Sequence, residues 1–158
     1  MRLTWPADRQ IRSFYDPVSH RLTMLSDVVS DEAEGRVYGN RLVIAIGAQG
    51  DFLDLELGAG PVNQGLAEAQ CEAPAQVNEP VAVWVPETEG PSIEALPDSS
   101  ALTIRLLPAE PERWVQLTSS GLLLGLLDED VLAAIRVVGP VLDPNGENEA
   151  QWLDSIGA

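Results

Sequence analysis

Apolar and polar residues alternate with a period of two through much of this chain, the spacing of a strand with one covered face. LTML (22–25) and ALTIRLL (101–107) read as strands. RLVIAI (41–46) and GLLLGLL (121–127) are apolar on both faces, as central, covered strands are. DFLDLEL (51–57) alternates cleanly, which predicts Leu53, Leu55 and Leu57 inward and Asp54 and Glu56 outward. Asp128 is a helix-cap candidate for DVLAAIRVV (130–138), but that run aligns with 50–58, and the alignment decides for a strand. Gly47 to Gly50 predicts a four-residue hairpin loop and LDED (127–130) its equivalent. Most prolines fall between the runs, where they mark edges and turns.

The chain also echoes itself at an offset of 80. Leu42, Ile44 and Ile46 land on Leu122, Leu124 and Leu126, and Leu53, Leu55 and Leu57 land on Ala133, Ile135 and Val137. Leu3 and Trp5 land on Val83 and Val85, and Leu22-Thr23 lands on Leu102-Thr103. No gap is needed, and the pattern predicts a duplication. Residues 1–60 form the first β repeat, 61–80 a connector, 81–140 the second repeat and 141–158 a tail. The connector's Ala/Glu segment predicts one or two helical turns around Leu66 to Cys71. The tail has no counterpart in the first copy on this reading; its Asp-Pro-Asn-Gly is a turn, followed by a short helix with Trp152, Leu153 and Ile156 on one side. The expected fold is mainly β: two antiparallel meanders related by a pseudo-twofold, few short helices, one unit.

YDPVSHRLTML (15–25) resembles the opening of a family of small bacterial proteins of unknown function, which begin Tyr-Asp-Pro and continue Asp-x-Leu-Tyr-Ile. RLVIAIGAQGDFLDLEL (41–57) resembles that family's closing hairpin, with Tyr15, Asp16, Pro17, Leu22, Gly50 and Glu56 matching. His20 replaces the second Asp, Thr23 the Tyr, and Ala45, Gly47 and Gln49 the turn acids. The resemblance covers about 43 residues of the first copy. It implies a β-rich fold and carries no activity.

Charge changes the picture most. Nine basic residues, all Arg, stand against 25 acidic ones, a net −16. Residues 1–60 hold six Arg and nine carboxylates, net −3; residues 61–158 hold three and 16, net −13. Such a field repels nucleic-acid phosphates and anionic membrane and attracts cationic partners at low salt; solubility alone is the competing explanation. The lack of Lys and the wealth of Ala, Leu, Gly and Pro fit a high-GC bacterial genome. With no secretory-type leader and no apolar run near the roughly 20 residues of a membrane helix, a cytoplasmic protein is expected.

Chemistry is largely excluded. One His and one Cys cannot build a His- or Cys-rich zinc site, and a Cys71–His20 pair would join a connector to a turn. No Gly-x-Ser-x-Gly elbow occurs, and a phosphate loop ending Gly-Lys is impossible without lysine. Asp54 and Glu56 share a strand face, with SDEAE (30–34) as a neighbouring acid run, but alternation places the pair in solvent, where neither pKa is tuned for catalysis. DPNGENE (143–149) mimics part of a calcium loop with Gly146 at the wrong offset. The expectation is therefore no catalytic residue, no metal and no cofactor.

Three tryptophans remain as partner-binding candidates. Trp84 aligns with Thr4 and Trp114 with Glu34, positions that accept polar residues and hence face solvent, so each is either covered by something copy-specific, such as the tail, or exposed for a partner; Trp152 lies in the tail. The leading expectation is a non-enzymatic acidic interaction module, an inhibitor, an immunity-type neutraliser or a charge mimic, binding a basic protein through the second copy and tail. A small carboxylate-dependent hydrolase or cation-binding protein is the alternative. A structural subunit that self-assembles, as a homodimer or larger, through sheet edges is the second alternative.

Overall fold

The computed structural model describes residues 2–6, 9–27, 35–38, 42–47, 49–58, 62–64, 75–87, 91–95, 101–117 and 122–156. Seven strands come from the first part of the chain: β1 (Arg2–Trp5), β2 (Ile11–Asp16), β3 (Arg21–Ser26), β4 (Gly35–Tyr38), β5 (Leu42–Ile46), β6 (Phe52–Leu57) and β7 (Val62–Gln64). Eight follow: β8 (Ala75–Val77), β9 (Val81–Trp84), β10 (Ser92–Ala95), β11 (Ala101–Arg105), β12 (Arg113–Leu117), β13 (Leu123–Leu126), β14 (Leu132–Val138) and β15 (Val141–Leu142). A 3-10 turn at Asp128–Asp130 precedes β14, and the helix α1 (Glu147–Ser155) closes the described chain. The fold is mainly β, as the period-two pattern predicts.

Sheet 1 runs β15-β2-β3-β6-β5-β4 and sheet 2 runs β7-β10-β11-β14-β13-β12-β8. Adding 80 to each first-half residue converts most of one sheet's register into the other's. Ile11↔Ser26 in β2–β3 matches the β10–β11 line Ser92↔Arg105, Leu22↔Leu57 becomes Leu102↔Val137, and Val43↔Glu56 becomes Leu123↔Arg136. Even the bulge recurs, between Ala45 and Ile46 and between Gly125 and Leu126. β1 and β9 pair antiparallel with Leu3 opposite Val83, its equivalent at the offset of 80.

Alternation sends one face of each sheet into a common core. Tyr15, Leu22, Met24, Leu42, Ile44, Leu55 and Leu57 from sheet 1 join Ile93, Leu102, Ile104, Leu124, Ile135 and Val137 from sheet 2 in a single apolar cluster. Burial of this much aliphatic surface, at roughly 25 cal/mol per Å², is what holds the sheets. Trp5 is fully buried and stacks on Phe52, centroids 4.2 Å apart. Leu53, expected inward with Leu55 and Leu57, is also buried, 2% exposed.

Three details differ from the sequence reading. First, the correspondence is not free of gaps. Arg113 pairs with Leu126 whereas Gly35 pairs with Ile46, so β12 sits two residues out of the 80 offset. Trp114 therefore stands level with Arg36, not Glu34. Second, the connector supplies strands: β7 and β8 lie within 61–80, while the helical turns expected around Leu66 to Cys71 lie outside the described residues. Third, the tail does have a counterpart. Gly-Pro-Val occurs at 60–62 and again at 139–141, and Glu-Ala-Gln at 68–70 and again at 149–151. β7 and β15, which follow the two Gly-Pro steps, are exchanged: β7 joins sheet 2 beside β10 and β15 joins sheet 1 beside β2, both parallel. Each half thus completes the other's sheet.

Candidate functional site

The hairpin turn of sheet 2 concentrates acid. Leu127 N–H donates to the Val131 carbonyl at 2.9 Å, the same closure that Gly47 makes to Asp51 at 2.8 Å in sheet 1. The first-half turn reaches its left-handed step with Gly50, at φ 76°. The second-half turn places Glu129 (φ 62°) and Asp130 (φ 61°) there, both side chains the left-handed region disfavours. Strain of this kind persists where surrounding contacts over-determine it, and it clusters at functional positions. Arg113 makes an exposed ion pair with Asp130.

Around this turn the carboxylates crowd. Asp128, Glu129 and Asp130 are exposed and consecutive. Glu112 is fixed beside Asp128 by its N–H bond to the Leu126 carbonyl at 2.9 Å. The hydrogen bond that a protonated Glu112 can give Asp128, and then the negative charge of Asp128, raises the pKa of Glu112 above its usual value. Trp84 lies alongside. It bridges Val131 in a parallel pair, its strand β9 packs against the turn, and its side chain is 50% exposed, the only exposed tryptophan among the described residues. Arg2 stands opposite it on β1.

The other two candidates take other places. Trp114 is half-buried on β12, opposite Gly125 on the face turned away from the core. A β-carbon at Gly125 would come within 2.6 Å of Pro111 and 3.1 Å of the Trp114 ring, so glycine makes room for the indole. Trp152 is half-buried on α1, beneath the Arg12 guanidinium at 4.8 Å, with its Nε1 buried and unbonded. Through Arg12 the tail belongs with sheet 1, the less acidic half. The three tryptophans occupy separate elements, and of the three only Trp84 combines exposure with a neighbouring acid cluster.

Two further arrangements bear on chemistry. A cavity of about 280 Å³ between sheet 1 and the start of α1 is lined by Asp16, Arg21, Thr23, Asp143 and Glu149 among others. Burial raises the Glu149 pKa, with Arg21 opposing. Asp143, however, spends both oxygens on α1, accepting from Asn148 N–H at 3.1 Å and Glu149 N–H at 3.0 Å. The segment that mimics a calcium loop is thus a helix cap. Among the described residues no group of three or more His, Cys, Asp or Glu is placed to hold a metal. Asp54 is half-buried, and Glu56 pairs with Arg21 on the sheet's outer face. SDEAE (30–34) and Cys71 lie outside the described residues.

The Tyr-Asp-Pro stretch has a structural account. Tyr15 is buried, Asp16 closes the turn by accepting from Val18 N–H at 2.8 Å and from the Ser19 hydroxyl at 2.8 Å, and His20, at φ 59°, is hydrogen-bonded to the Tyr15 hydroxyl through Nδ1 at 3.0 Å. The Ser19 bond first, then the Val18 amide, lowers the Asp16 pKa. His20 is a turn residue with its ring engaged.

On the outer face of sheet 2, Glu94 and Arg105 form a buried ion pair at 2.8 Å that the sequence reading missed; Glu110 adds a second, exposed partner to Arg105 at 3.0 Å. Glu94 Oε2 and Arg105 Nη1 are buried without a hydrogen-bond partner. No protein-family model, curated protein or solved structure matches the chain. No helix among the described residues is long and apolar enough to cross a membrane.

Proposed function

We propose that this chain is a non-enzymatic interaction module that engages a basic partner through the acidic turn of sheet 2. The observation that carries the reading is the exposed Trp84 on the strand beside the turn of Asp128, Glu129 and Asp130. The carboxylates supply long-range attraction and orientation, and the indole supplies apolar contact area on arrival. A backbone held left-handed by two acidic residues, where the other half uses glycine, fits a turn kept for its charge. Inhibition, neutralisation of a basic enzyme and mimicry of nucleic-acid charge are the activities this chemistry suits. Titrating an arginine-rich peptide of ten residues into the protein tests it. Tryptophan fluorescence should change in the wild type and not in Trp84→Phe, with affinity falling steeply as salt rises.

We also infer that the two halves descend from one duplicated unit. The shared register and bulge, the exchanged strands and the recurring Gly-Pro-Val and Glu-Ala-Gln support that origin, with the second copy having acquired the acidic turn. A bacterial, cytoplasmic setting fits the composition.

A further inference from the structure

A second cavity, of about 230 Å³, opens where the chain crosses from sheet 2 to sheet 1 between β14 and β15. Ile11, Leu122 and Val137, all buried, form its apolar wall, and Gly139 stands at the crossing. No atom lies within 4 Å of where a β-carbon of Gly139 would sit. β15 pairs only with Phe14 and Tyr15, so it stops short of Ile11, Arg12 and Ser13, which border the cavity.

Two polar side chains there lack protein partners of their own kind. Ser13 is 8% exposed, on the same side of β2 as Ile11, and its hydroxyl makes no hydrogen bond to a described residue. A buried hydroxyl without a partner costs free energy, which favours any group that bonds it. Arg12 lies over the Trp152 ring, 4.8 Å from its centroid, and has no carboxylate partner among the described residues. A guanidinium on a ring face keeps its in-plane N–H donors. Arg12 is the one charged residue lining the cavity; Asp27, whose N–H bonds the Gln10 carbonyl, does not line it. An apolar wall with a few placed polar groups is the composition of a small-molecule site. We propose that this cavity binds a small aliphatic monocarboxylate. The carboxylate accepts from Arg12 N–H and Ser13 O–H, and the tail packs on Ile11, Leu122 and Val137. The volume holds about eight water-sized groups at roughly 30 Å³ each, which sets the size of the acid. The site shares no residue with the acidic turn and is independent of what that turn binds.

The probe is isocaproate, a branched acid of that size, titrated at about 0.15 M salt into the full-length protein labelled for amide NMR. Amides of Ile11, Ser13 and Gly139 should shift along one curve and saturate at millimolar concentration, and uncharged isocaproamide should bind about tenfold more weakly. Ser13→Val fills the space with a strand-forming side chain and should keep the fold while abolishing the shifts. Arg12→Gln should weaken binding about tenfold, and Arg12→Lys should restore part of it. Four results would overturn the proposal. The amides could stay unmoved at tens of millimolar, the acid and its amide could bind alike, or Ser13→Val could bind as well as the wild type. Or N-acetyl-leucine, the carboxylate of a chain end, could bind far more tightly, which makes the occupant a peptide C-terminus.

Discussion

Leu3 lies directly opposite Val83, the residue eighty positions further along, with Arg2↔Trp84 on one side of that contact matched by Thr4↔Ala82 on the other. Leu3 and Val83 are also equivalent at the offset of 80, so positions in the two sheets that share a register can be compared directly.

Gly125 and Ala45 are such a pair. Both are buried, on β13 and β5, and stand opposite Trp114 (Gly125) and Arg36 (Ala45) in the register. Gly125→Ala would drive a β-carbon into Pro111 and the Trp114 ring, and should destabilise the protein by about 1–3 kcal/mol in urea denaturation. Ala45→Gly meets no such conflict and should cost only about 0.5–1 kcal/mol, from backbone entropy. Equal effects would show that Trp114 does not pack on Gly125.

The Glu94–Arg105 pair should behave as a buried ion pair. Glu94→Ala leaves the guanidinium, its side chain 13% exposed, with only the exposed Glu110, and should cost roughly 3 kcal/mol. Replacing both residues with Met removes the unbonded atoms together and should recover most of that loss. The coupling is read from a double-mutant cycle.

Acid should act on Glu112 in a definite direction. Its folded pKa is raised, so the folded state holds the proton more tightly than the unfolded chain. That contribution is full below the ordinary value of 4.5 and disappears as pH rises through the raised folded value. Glu149, raised by burial, acts in the same sense. Asp16 acts oppositely: its contribution is present above its ordinary value and is lost as pH falls through its lowered folded value. Glu112→Gln should therefore remove part of the stabilisation gained on mild acidification, measured as urea midpoint against pH. An unchanged profile would mean that the Glu112–Asp128 bond does not form in solution.

Strand content and core were legible in the sequence because alternation is a local property: Leu22, Ile44 and Leu55 announce their face from their neighbours alone. The exchanged strands were not legible. β15 is two residues long, and its echo in β7 is displaced, since Gly-Pro-Val recurs at 79 and Glu-Ala-Gln at 81 while the central strands hold 80. A gap-free comparison passes over both. The two-residue displacement of β12 was hidden in the same way, which matched Trp114 to the wrong position. The acidic turn was visible as LDED, but the left-handed φ at Glu129 and Asp130, the nearness of Glu112 to Asp128 and the arrival of Trp84 from β9 were not. None of these is written locally.

Asp130 and Gly50 set strain against charge. Asp130→Gly relieves a left-handed backbone and should stabilise the fold by about 0.5–1 kcal/mol, since the exposed Arg113 pair it removes weighs little. The same change deletes one of the carboxylates offered to a basic partner. A turn kept for binding should thus become more stable and bind an arginine-rich peptide more weakly, with a shallower salt dependence. A variant that gains stability and keeps full affinity would show that Asp130 has no part in recognition.

Trp84→Ala carries the sharpest expectation for the site. The side chain is half exposed, so its removal should leave the urea midpoint nearly unchanged. If the indole is the apolar anchor of the acidic surface, affinity for a basic partner should fall by about tenfold or more, mainly through faster dissociation. Neutralising the turn with Asp128→Asn and Glu129→Gln should instead slow association, and most strongly at low salt, because at about 0.15 M salt screening confines exposed charges to roughly 8 Å. The two variants therefore separate anchoring from steering in one stopped-flow experiment. Loss of folding in Trp84→Ala would make the residue part of the β1–β9 packing. Association that ignores both the charge variant and added salt would leave the acidity of this half to solubility alone.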